Sequence, residues 1–356
     1  MKLWVLILHS SSCGVPPCDS DVKHNAHRTH LDSNVTTDPV HPISVEAMPI
    51  HIRSTLKRAC EQALVRSGAA SLFTSLSRRR GAILAYHNIV PDGYPDIGDS
   101  PLHLPISRFR DQVDRLLEDH DPVSLQTILD HPEDRKQPKP WIAFTFDDAY
   151  RGAVRLGVRE LVQRGVPATI FVTPAFVGGG PFWWDSVRNG SAVGVPAEMR
   201  GYALAELGGD DARIRRWAIG RGLRLEALPE DGRCATLDSL SAAVRHPEVT
   251  LAPHGWSHRN LTCLPDEELR SELVRPLAWL NERFSTVRPW LAYPYGLFDA
   301  RVQEACARAG YTGAFGVGTG ALPARTQNPF GLPRVSVPSG ISLEGLLLRV
   351  QGVVPG

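Results

Sequence analysis

Short apolar runs alternate with amphipathic segments through most of the chain. The apolar runs predict buried strands at residues 82–86, 141–146, 168–173, 249–253, 290–293 and 310–315. Apolar residues spaced three and four positions apart predict helices at residues 106–120, 153–164, 265–284 and 300–309. Because strands and helices alternate in this order, we expect an α/β protein built on a parallel barrel.

Residues 186–247 interrupt this alternation. They are polar and helix-prone, with clusters of glycine and of charged residues. We interpret them as a helical insertion between two strands of the barrel. Insertions of this kind often determine substrate choice, because loops vary while the scaffold that carries them stays the same.

The first 47 residues lack any periodic pattern. They are rich in His, Ser, Asp, Thr and Pro, which predicts a disordered N-terminal extension. A patterned helix follows Met48 directly, so residues 1–47 could instead reflect a mis-assigned start of translation. Residues 1–20 begin like a secretory signal, but their apolar core of about six residues is shorter than usual. We therefore favour a cytoplasmic location, with a periplasmic or secreted one if residues 1–20 act as a signal peptide.

Residues 48–80 have the pattern of a basic amphipathic helix. Apolar side chains recur at steps of three and four, and Arg53, Lys57, Arg58 and Arg66 lie on the opposite face. Such a helix could make peripheral contact with an anionic membrane through residues 52–80. It could also pack on the barrel with its basic face in water, which is the arrangement we favour.

Composition narrows the class of protein. A hydrophobic content of 42% is enough for a sizeable core, and the net charge of +1 gives no reason to propose nucleic acid as a partner. The six cysteines form no Cys-x-x-Cys pair and no disulfide framework. No run of about eighteen apolar residues occurs, so we expect no transmembrane helix.

Two adjacent carboxylates, Asp147 and Asp148, follow the apolar run of residues 141–146. They therefore lie at the carboxyl end of a predicted strand, where α/β folds place their chemistry. Neighbouring side chains on an extended chain point in opposite directions, so two functional carboxylates would have separate tasks, such as one on a metal and one left free. The alternative is that the pair only caps the next helix.

A histidine pair, His254 and His258, follows the apolar run of residues 249–253. Two histidines four residues apart share one face if the segment turns helically, and imidazole is a common zinc ligand. Together with one carboxylate they would supply three protein ligands and leave a position open, as catalytic zinc requires. The alternative is a surface or helix-capping role.

Other candidates lie at the ends of neighbouring strands. His87 ends the strand of residues 82–86, so it faces the same rim as Asp147 if both strands are parallel in one barrel. It could equally bond to a neighbouring loop. The adjacent aromatics Trp183 and Trp184 could stack on a sugar ring or serve as ordinary packing residues.

Three motifs in order resemble those of the polysaccharide deacetylase family, also called the NodB homology domain or carbohydrate esterase family 4. They are Thr145-Phe-Asp-Asp148, His254-Gly-Trp-Ser-His258 and Leu291-Ala-Tyr-Pro-Tyr-Gly296. Softer matches at residues 83–87, 106–112 and 332–335 extend the resemblance over roughly residues 81–340. It implies a distorted (β/α)7-type barrel, and we assign residues 81–356 to this deacetylase domain.

The resemblance also implies roles for individual residues. Asp147 matches the family's general base, while Asp148, His254 and His258 match its metal ligands, usually for zinc. The backbone N–H of Tyr295 matches the oxyanion donor. The substrate would be an N-acetylated oligo- or polysaccharide.

The chain departs from the family pattern at two places. Ala292 stands where the commoner form has an arginine that orients the base; Arg334 could take that role or be a structural salt-bridge partner. No histidine occurs after His258 to serve as the family's C-terminal acid, so His87 is the available substitute.

These observations predict a metal-dependent hydrolase that removes N-acetyl groups from amino sugars. Two alternatives stay open. The first is a deacetylase or deformylase of a lipid-linked sugar, which the basic helix would suit. The second is a carbohydrate-binding relative with little catalysis, suggested by the missing arginine and C-terminal histidine.

Overall fold

The computed structural model describes the barrel domain almost throughout. Described are residues 61–64, 81–96, 98–130, 139–188, 195–318, 322 and 328–354. The predicted N-terminal extension, residues 1–47, lies outside them, as does the predicted basic helix apart from residues 61–64. Within the described part of the chain, no helix is both long and apolar enough to span a membrane.

Twelve strands are present in the described residues, and all but two of them pair in parallel. They are β1 Gly81–Tyr86, β2 Asn88–Val90, β3 His103–Pro105, β4 Asp121–Pro122, β5 Trp141–Phe146, β6 Ala168–Val172, β7 Val187–Arg188, β8 Arg224–Leu225, β9 Val249–Pro253, β10 Trp290–Ala292, β11 Gly313–Phe315 and β12 Val335–Ser336. The antiparallel pair is β7 with β8.

Seven of these strands form a closed ring. The main sheet runs in the order β12, β1, β5, β6, β9, and β10 pairs with β11. Single parallel bridges join Leu251 to Val287 and Phe315 to Leu332, and so connect β9, β10, β11 and the stretch that leads into β12. The predicted distorted (β/α)7-type barrel is therefore confirmed.

Helices connect the strands and cover the outside of the ring. They are α1 Ile106–Asp119, α2 Leu125–Asp130, α3 Arg159–Gln163, α4 Trp183–Ser186, α5 Ala197–Ala205, α6 Asp211–Gly220, α7 Leu237–Ala243, α8 Asp266–Asn281, α9 Ala300–Arg308 and α10 Leu343–Val350. A π-helical stretch, Ala153–Val158, precedes α3. The connection from β6 to β9 contains α4 to α7 and the antiparallel pair β7–β8, whose strands are separated by α5 and α6.

The barrel interior is filled by alternate residues of the strands. One buried cluster joins Ile83, Ala143, Phe171, Ala252 and Phe315, each from a different strand. The residues between them along each strand point outward and pack against the helices. In β5, for example, the two neighbours of Ala143 belong to this outer cluster. Because side chains alternate along a strand, residue 147 shares the inward parity of residue 143, whereas residue 148 does not.

Residues 61–64 are helical and lie against α10. The carboxylate of Glu61 is buried and accepts a hydrogen bond from the hydroxyl of Ser342, the N-cap of α10. Leu64 packs near Leu348 and Val354. At these residues, the segment before the barrel is held by the carboxyl-terminal helix.

Candidate active site

The chain makes a strained turn directly after β5. The N–H of Asp147 still donates to the carbonyl of Tyr86 at 2.9 Å, which continues the β1–β5 pairing. Asp148 and Ala149 then adopt the left-handed region, with φ of 68° and 50°. A non-glycine residue there costs roughly 1–2 kcal/mol, and such strain clusters at functional sites. The turn sends the two neighbouring carboxylates toward different partners.

Asp148 lies with the two predicted histidines at the carboxyl end of β9. Its Oδ1 is 3.2 Å from Nε2 of His258 and 3.6 Å from Nε2 of His254. The two Nε2 atoms are 3.1 Å apart. His254 Nδ1 donates to the carbonyl of Ala292 at 2.7 Å, so the lone pair of its Nε2 faces the cluster.

The histidines converge without a helix between them. The intervening loop contains Gly255 with φ of 72° and ends at His258 with φ of 58°. This backbone reverses the chain so that both imidazoles meet Asp148. The spacing of four residues therefore brings the ligands together, but through a loop geometry that helical periodicity does not describe.

The three side chains fit a metal ion. Tetrahedral zinc with bonds of about 2.0–2.1 Å places its ligand atoms about 3.3–3.4 Å apart, close to the distances of 3.1, 3.2 and 3.6 Å seen here. Asp148 Oδ1 is buried and has no hydrogen-bond partner within the described residues. An orphaned carboxylate oxygen facing two lone pairs is costly unless a cation joins them.

In the absence of a cation, the pKa shifts favour the neutral form of all three groups, which is the metal-binding form of the two imidazoles but not of the carboxylate. Burial, followed by the charges of Asp147 and Asp185, raises the pKa of Asp148 well above its ordinary value. Burial lowers the pKa of His254, and burial together with His254 lowers the pKa of His258 well below its ordinary value. Both imidazoles are therefore neutral at pH 7, as metal ligands must be.

Asp147 points to the barrel axis and binds an arginine there. Arg334 donates from Nη1 to Asp147 Oδ1 at 2.6 Å and from Nη2 to Oδ2 at 2.7 Å. The guanidinium also donates to Thr145 Oγ1 at 3.1 Å and to the carbonyl of Gly316 at 3.2 Å, and it lies 5.1 Å from the ring centroid of Phe171. Arg334 is fully buried.

This pair determines the charge of the predicted base. Burial alone would raise the pKa of Asp147, but Arg334, followed by His254, outweighs it and holds that pKa well below its usual range. Asp147 is therefore ionised at neutral pH. Of the two roles left open for Arg334, the structure shows the contact that orienting the base requires.

His87 lies near the base at the carboxyl end of β1, partly exposed. Burial, with smaller contributions from Arg334 and His254, lowers its pKa to about 4, although the carboxylate of Asp147 acts in the opposite direction. The imidazole therefore interacts electrostatically with the base and with one metal ligand. It is neutral at pH 7.

Tyr295 occupies a strained position in the turn after β10, with φ of 59°. Its N–H donates to no backbone carbonyl within the described part of the chain. Its ring packs edge-on against His258, with centroids 4.4 Å apart, and its hydroxyl accepts a hydrogen bond from Trp183 Nε1 at 3.1 Å. A β-carbon at Gly209 would lie 2.9 Å from this ring, so the chain between α5 and α6 also reaches the site.

Trp183 and Trp184 form a wall of the site. Both are buried, at 1% and 3% exposure, and neither offers a free face for stacking on a sugar. The ring of Trp184 lies 4.8 Å from that of His258, and its Nε1 donates to the hydroxyl of Tyr150 at 2.9 Å. The two tryptophans therefore act as packing residues beside the predicted metal ligands.

A fully buried carboxylate next to this wall, Asp185, gives no signal in the sequence. It accepts hydrogen bonds from the N–H of Asp99 at 2.9 Å, from His103 Nε2 at 3.0 Å and from the hydroxyl of Tyr150. These donors come from the loop before β3, from the first residue of β3 and from the turn after β5. Asp185 thus joins the rim of the barrel to the wall that holds Trp184.

Comparisons with known proteins agree with this arrangement. A family model described as polysaccharide deacetylase matches residues 134–314. A search of curated proteins with this sequence finds no match. Among solved structures, the fold is similar to that of the deacetylase PplD from Streptococcus pyogenes, at 15% identity, a TM-score of 0.53, and coverage of 76% of this chain and 98% of that one.

Two further structures share the fold. IcaB from Ammonifex degensii is 18% identical, with a TM-score of 0.53 and coverage of 76% of this chain and 97% of that one. A de-N-acetylase from Aggregatibacter actinomycetemcomitans is 14% identical, with a TM-score of 0.51 and coverage of 75% and 98%. At identities of 14–18%, these similarities show a shared fold and do not by themselves show a shared activity.

Proposed function

Because the chain belongs to the polysaccharide deacetylase family, we propose that it is a metal-dependent hydrolase removing N-acetyl groups from amino sugars of a polysaccharide or glycan precursor. One observation carries the metal dependence: the ligand atoms of Asp148, His254 and His258 converge within 4.8 Å of one another, all buried. Beside them, Asp147 is held ionised by Arg334.

Asp148, His254 and His258 would hold the metal. Two imidazoles and one carboxylate suit zinc and leave coordination positions open. When bound, the ion polarises the acetyl carbonyl and lowers the pKa of a coordinated water toward ~7. The remaining chemistry belongs to side chains and backbone groups of the chain.

Asp147 is the general base in this proposal. Arg334 uses one lone pair of each carboxylate oxygen, which leaves others free to accept a proton from the attacking water. The depressed pKa makes Asp147 a weak base, so the proton does not rest there. Its task is to orient the water and to pass the proton on.

His87 is the proposed general acid. Since its imidazole is neutral at pH 7, it must gain a proton before it can give one to the leaving amine. Asp147, which interacts with it electrostatically, is the source. The negative charge of the tetrahedral intermediate raises the proton affinity of His87 during the reaction.

The backbone N–H of Tyr295 is the proposed oxyanion donor. A preorganised N–H aimed at developing charge contributes about 2.7–4 kcal/mol in other hydrolases. The left-handed backbone of Tyr295, held by the hydrogen bond from Trp183 and by its packing on His258, leaves this N–H without a backbone partner among the described residues.

The Asp147–Arg334 pair supports catalysis over carbohydrate binding alone. An ionised carboxylate held beside the three proposed metal ligands is the arrangement that base catalysis requires, and Arg334 makes the contact that the arginine absent at Ala292 would make. The lipid-linked sugar alternative depends on residues 52–80, which lie outside the described residues except for 61–64.

The direct test is acetate release from chitooligosaccharides by the purified protein. We expect release that stops after dialysis against a chelator and returns when zinc is added. Asp147→Asn serves as the catalytic control with the metal ligands intact. Absence of release from every member of a panel of N-acetylated glycans, with zinc bound, would contradict the proposal.

A further inference from the structure

The loop that joins the two histidine ligands is held by one buried carboxylate on a neighbouring helix. Glu272, in the middle of α8, is 6% exposed. Its Oε2 accepts the backbone N–H groups of Trp256 and Ser257, each at 2.9 Å. Its Oε1 accepts the hydroxyl of Ser257. Every residue between Gly255 and His258 is thus tied to a single side chain.

The helix contacts this loop at a second point. The guanidinium carbon of Arg275, three residues after Glu272, lies 3.9 Å from the ring centroid of Trp256. A third contact comes from the chain after β6, where Ala175 donates its N–H to the carbonyl of Trp256 at 3.0 Å. The loop is therefore clamped between α8 and the chain that follows β6.

The two histidine ligands differ in how their rings are oriented. His254 is fixed by a hydrogen bond from its Nδ1 to Ala292, as metal-binding histidines usually are. Nδ1 of His258 is buried and has no hydrogen-bond partner within the described residues. Besides its contacts with Asp148 and His254, the ring of His258 packs against the aromatic rings of Trp184 and Tyr295, and no hydrogen bond to its Nδ1 within the described residues sets its orientation.

That backbone is strained. His258 has φ of 58°, a conformation that non-glycine residues hold only when the surroundings overdetermine it. The three hydrogen bonds to Glu272 end at the residue directly before His258. Together with the contacts of Arg275 and Ala175 to Trp256, they hold the loop in this shape against the strain, and they are the ones nearest to His258.

We propose that Glu272 is a positioning residue for the metal centre, which orients His258 by fixing the loop before it and touches neither imidazole. This inference rests on the metal site of the proposed function. It predicts that Glu272 determines metal affinity even in protein that is fully folded.

The test measures zinc affinity of metal-stripped protein by competition with a chromophoric chelator, with circular dichroism to confirm folding. Glu272→Ala should weaken zinc binding by about 10- to 100-fold, the usual effect of removing such a partner. Cobalt substitution provides a second signal, since its visible absorption reports ligand geometry and should change in this variant.

Three matched variants complete the test. Glu267→Ala, an exposed glutamate on the same helix, should leave zinc affinity unchanged. Glu272→Gln can still accept both N–H groups and should bind within a few-fold of wild type. Ser257→Ala removes one of the three bonds and should weaken binding by about threefold or more.

The outcomes separate the two proposals. Folded Glu272→Ala that binds zinc as tightly as wild type would overturn the role of Glu272 and leave the metal site standing. If this variant does not fold, Ser257→Ala decides, and wild-type affinity in it would overturn the inference. The inference would also be overturned if Glu272→Gln lost as much zinc affinity as Glu272→Ala. Failure of the wild type to bind zinc would overturn the metal site itself.

Discussion

Arg334 and Asp147 form a bidentate ion pair across 187 positions of sequence, and the carboxylate of the pair lies 3.9 Å from Nε2 of His254, a predicted metal ligand. Arg334 lies in the stretch that closes the ring between β11 and β12, while Asp147 follows β5. An arginine that directly precedes the last strand therefore contacts the predicted base in a chain that has Ala292 at the family's usual arginine position.

Replacing Arg334 should lower catalytic activity, because Asp147 loses the group that orients it, and should leave zinc binding intact. For Arg334→Met, which keeps much of the volume, we expect kcat/KM to fall by about 100-fold, because misplacing a reacting group by about 1 Å costs that much. Zinc content should stay at the wild-type level. Steady-state kinetics and metal analysis of the same preparation check this, and Arg349→Met, which changes an arginine on α10, is the control.

The same variant should shift the pH dependence of activity. The positive charge of Arg334 lowers the pKa of Asp147, and burial raises it. Without the arginine, burial acts unopposed, so the acid limb of the kcat/KM profile should move to higher pH. An acid limb in the same place as that of the wild type would show that Asp147 is not the group that titrates there.

Substitutions of the two adjacent carboxylates, Asp147 and Asp148, should have different effects on zinc content. Asp148→Ala removes a ligand that lies 3.2 Å from His258, so the protein should lose zinc and activity together. Asp147→Asn should keep zinc and lose turnover by about 10²- to 10⁴-fold, the usual contribution of a general base. Metal analysis after gel filtration distinguishes them, and equal zinc loss in both would contradict the assignment.

His87 should matter for turnover but not for metal binding. We expect His87→Ala to lower kcat by about 100-fold or more, since the leaving amine then lacks its acid. Zinc content should be intact. Addition of imidazole to the variant offers a rescue that a merely structural residue would not show. Unchanged turnover would assign the acid to another group.

His87 also predicts how stability depends on pH. Its pKa of about 4 in the folded protein lies below the ordinary value of 6.5, so the unfolded chain binds more protons between these two values. The stabilisation from His87 is therefore complete above pH 6.5 and is lost as pH falls toward 4. Urea unfolding of metal-free protein should show a steeper loss over this range in wild type than in His87→Asn.

The sequence predicts a site residue when a recognisable pattern lies directly beside it, and it does not predict a residue whose role depends on contacts with distant elements. Asp147, Asp148 and the histidine pair follow apolar runs, and parallel strands in one ring bring their ends together, so their convergence could be expected from order alone. Asp185 and Glu272 could not be found this way. Their partners are backbone N–H groups and side chains on other elements, and an acidic residue within or beside a helix has no pattern that distinguishes it from a solvated one.

The backbone conformations of the loops at the site could not be predicted from the sequence either. Asp148, Ala149, His258 and Tyr295 are the non-glycine residues with positive φ among the described residues, and all lie at the site. Asp and His adopt that region more often than most non-glycine residues, but alanine and tyrosine do not, and tertiary contacts impose it on all four. Sequence spacing thus indicated which residues meet, and packing determined how they face one another.

Gly209 provides a test of whether the connection between α5 and α6 supports the site. Its φ is 68°, and an added β-carbon would lie 2.9 Å from both the Tyr295 ring and the N of Asn260. Gly209→Ala should therefore lower the free energy of unfolding by about 1–2 kcal/mol from backbone strain alone. It should also lower kcat by displacing Tyr295, whose N–H is the proposed oxyanion donor.

The matched control for this prediction is Gly220→Ala at the end of α6, where an added β-carbon meets no atom within 4 Å. Alanine favours a helix over glycine, so this variant should be as stable as wild type or slightly more stable, with unchanged kcat. Urea unfolding and acetate release measured on both variants separate the two effects. If the Gly209→Ala protein is destabilised but turns over at the wild-type rate, the close packing at residue 209 affects the stability of the fold and not the oxyanion donor. In that case the backbone around residue 209 adjusts to the added β-carbon without moving the turn that contains Tyr295.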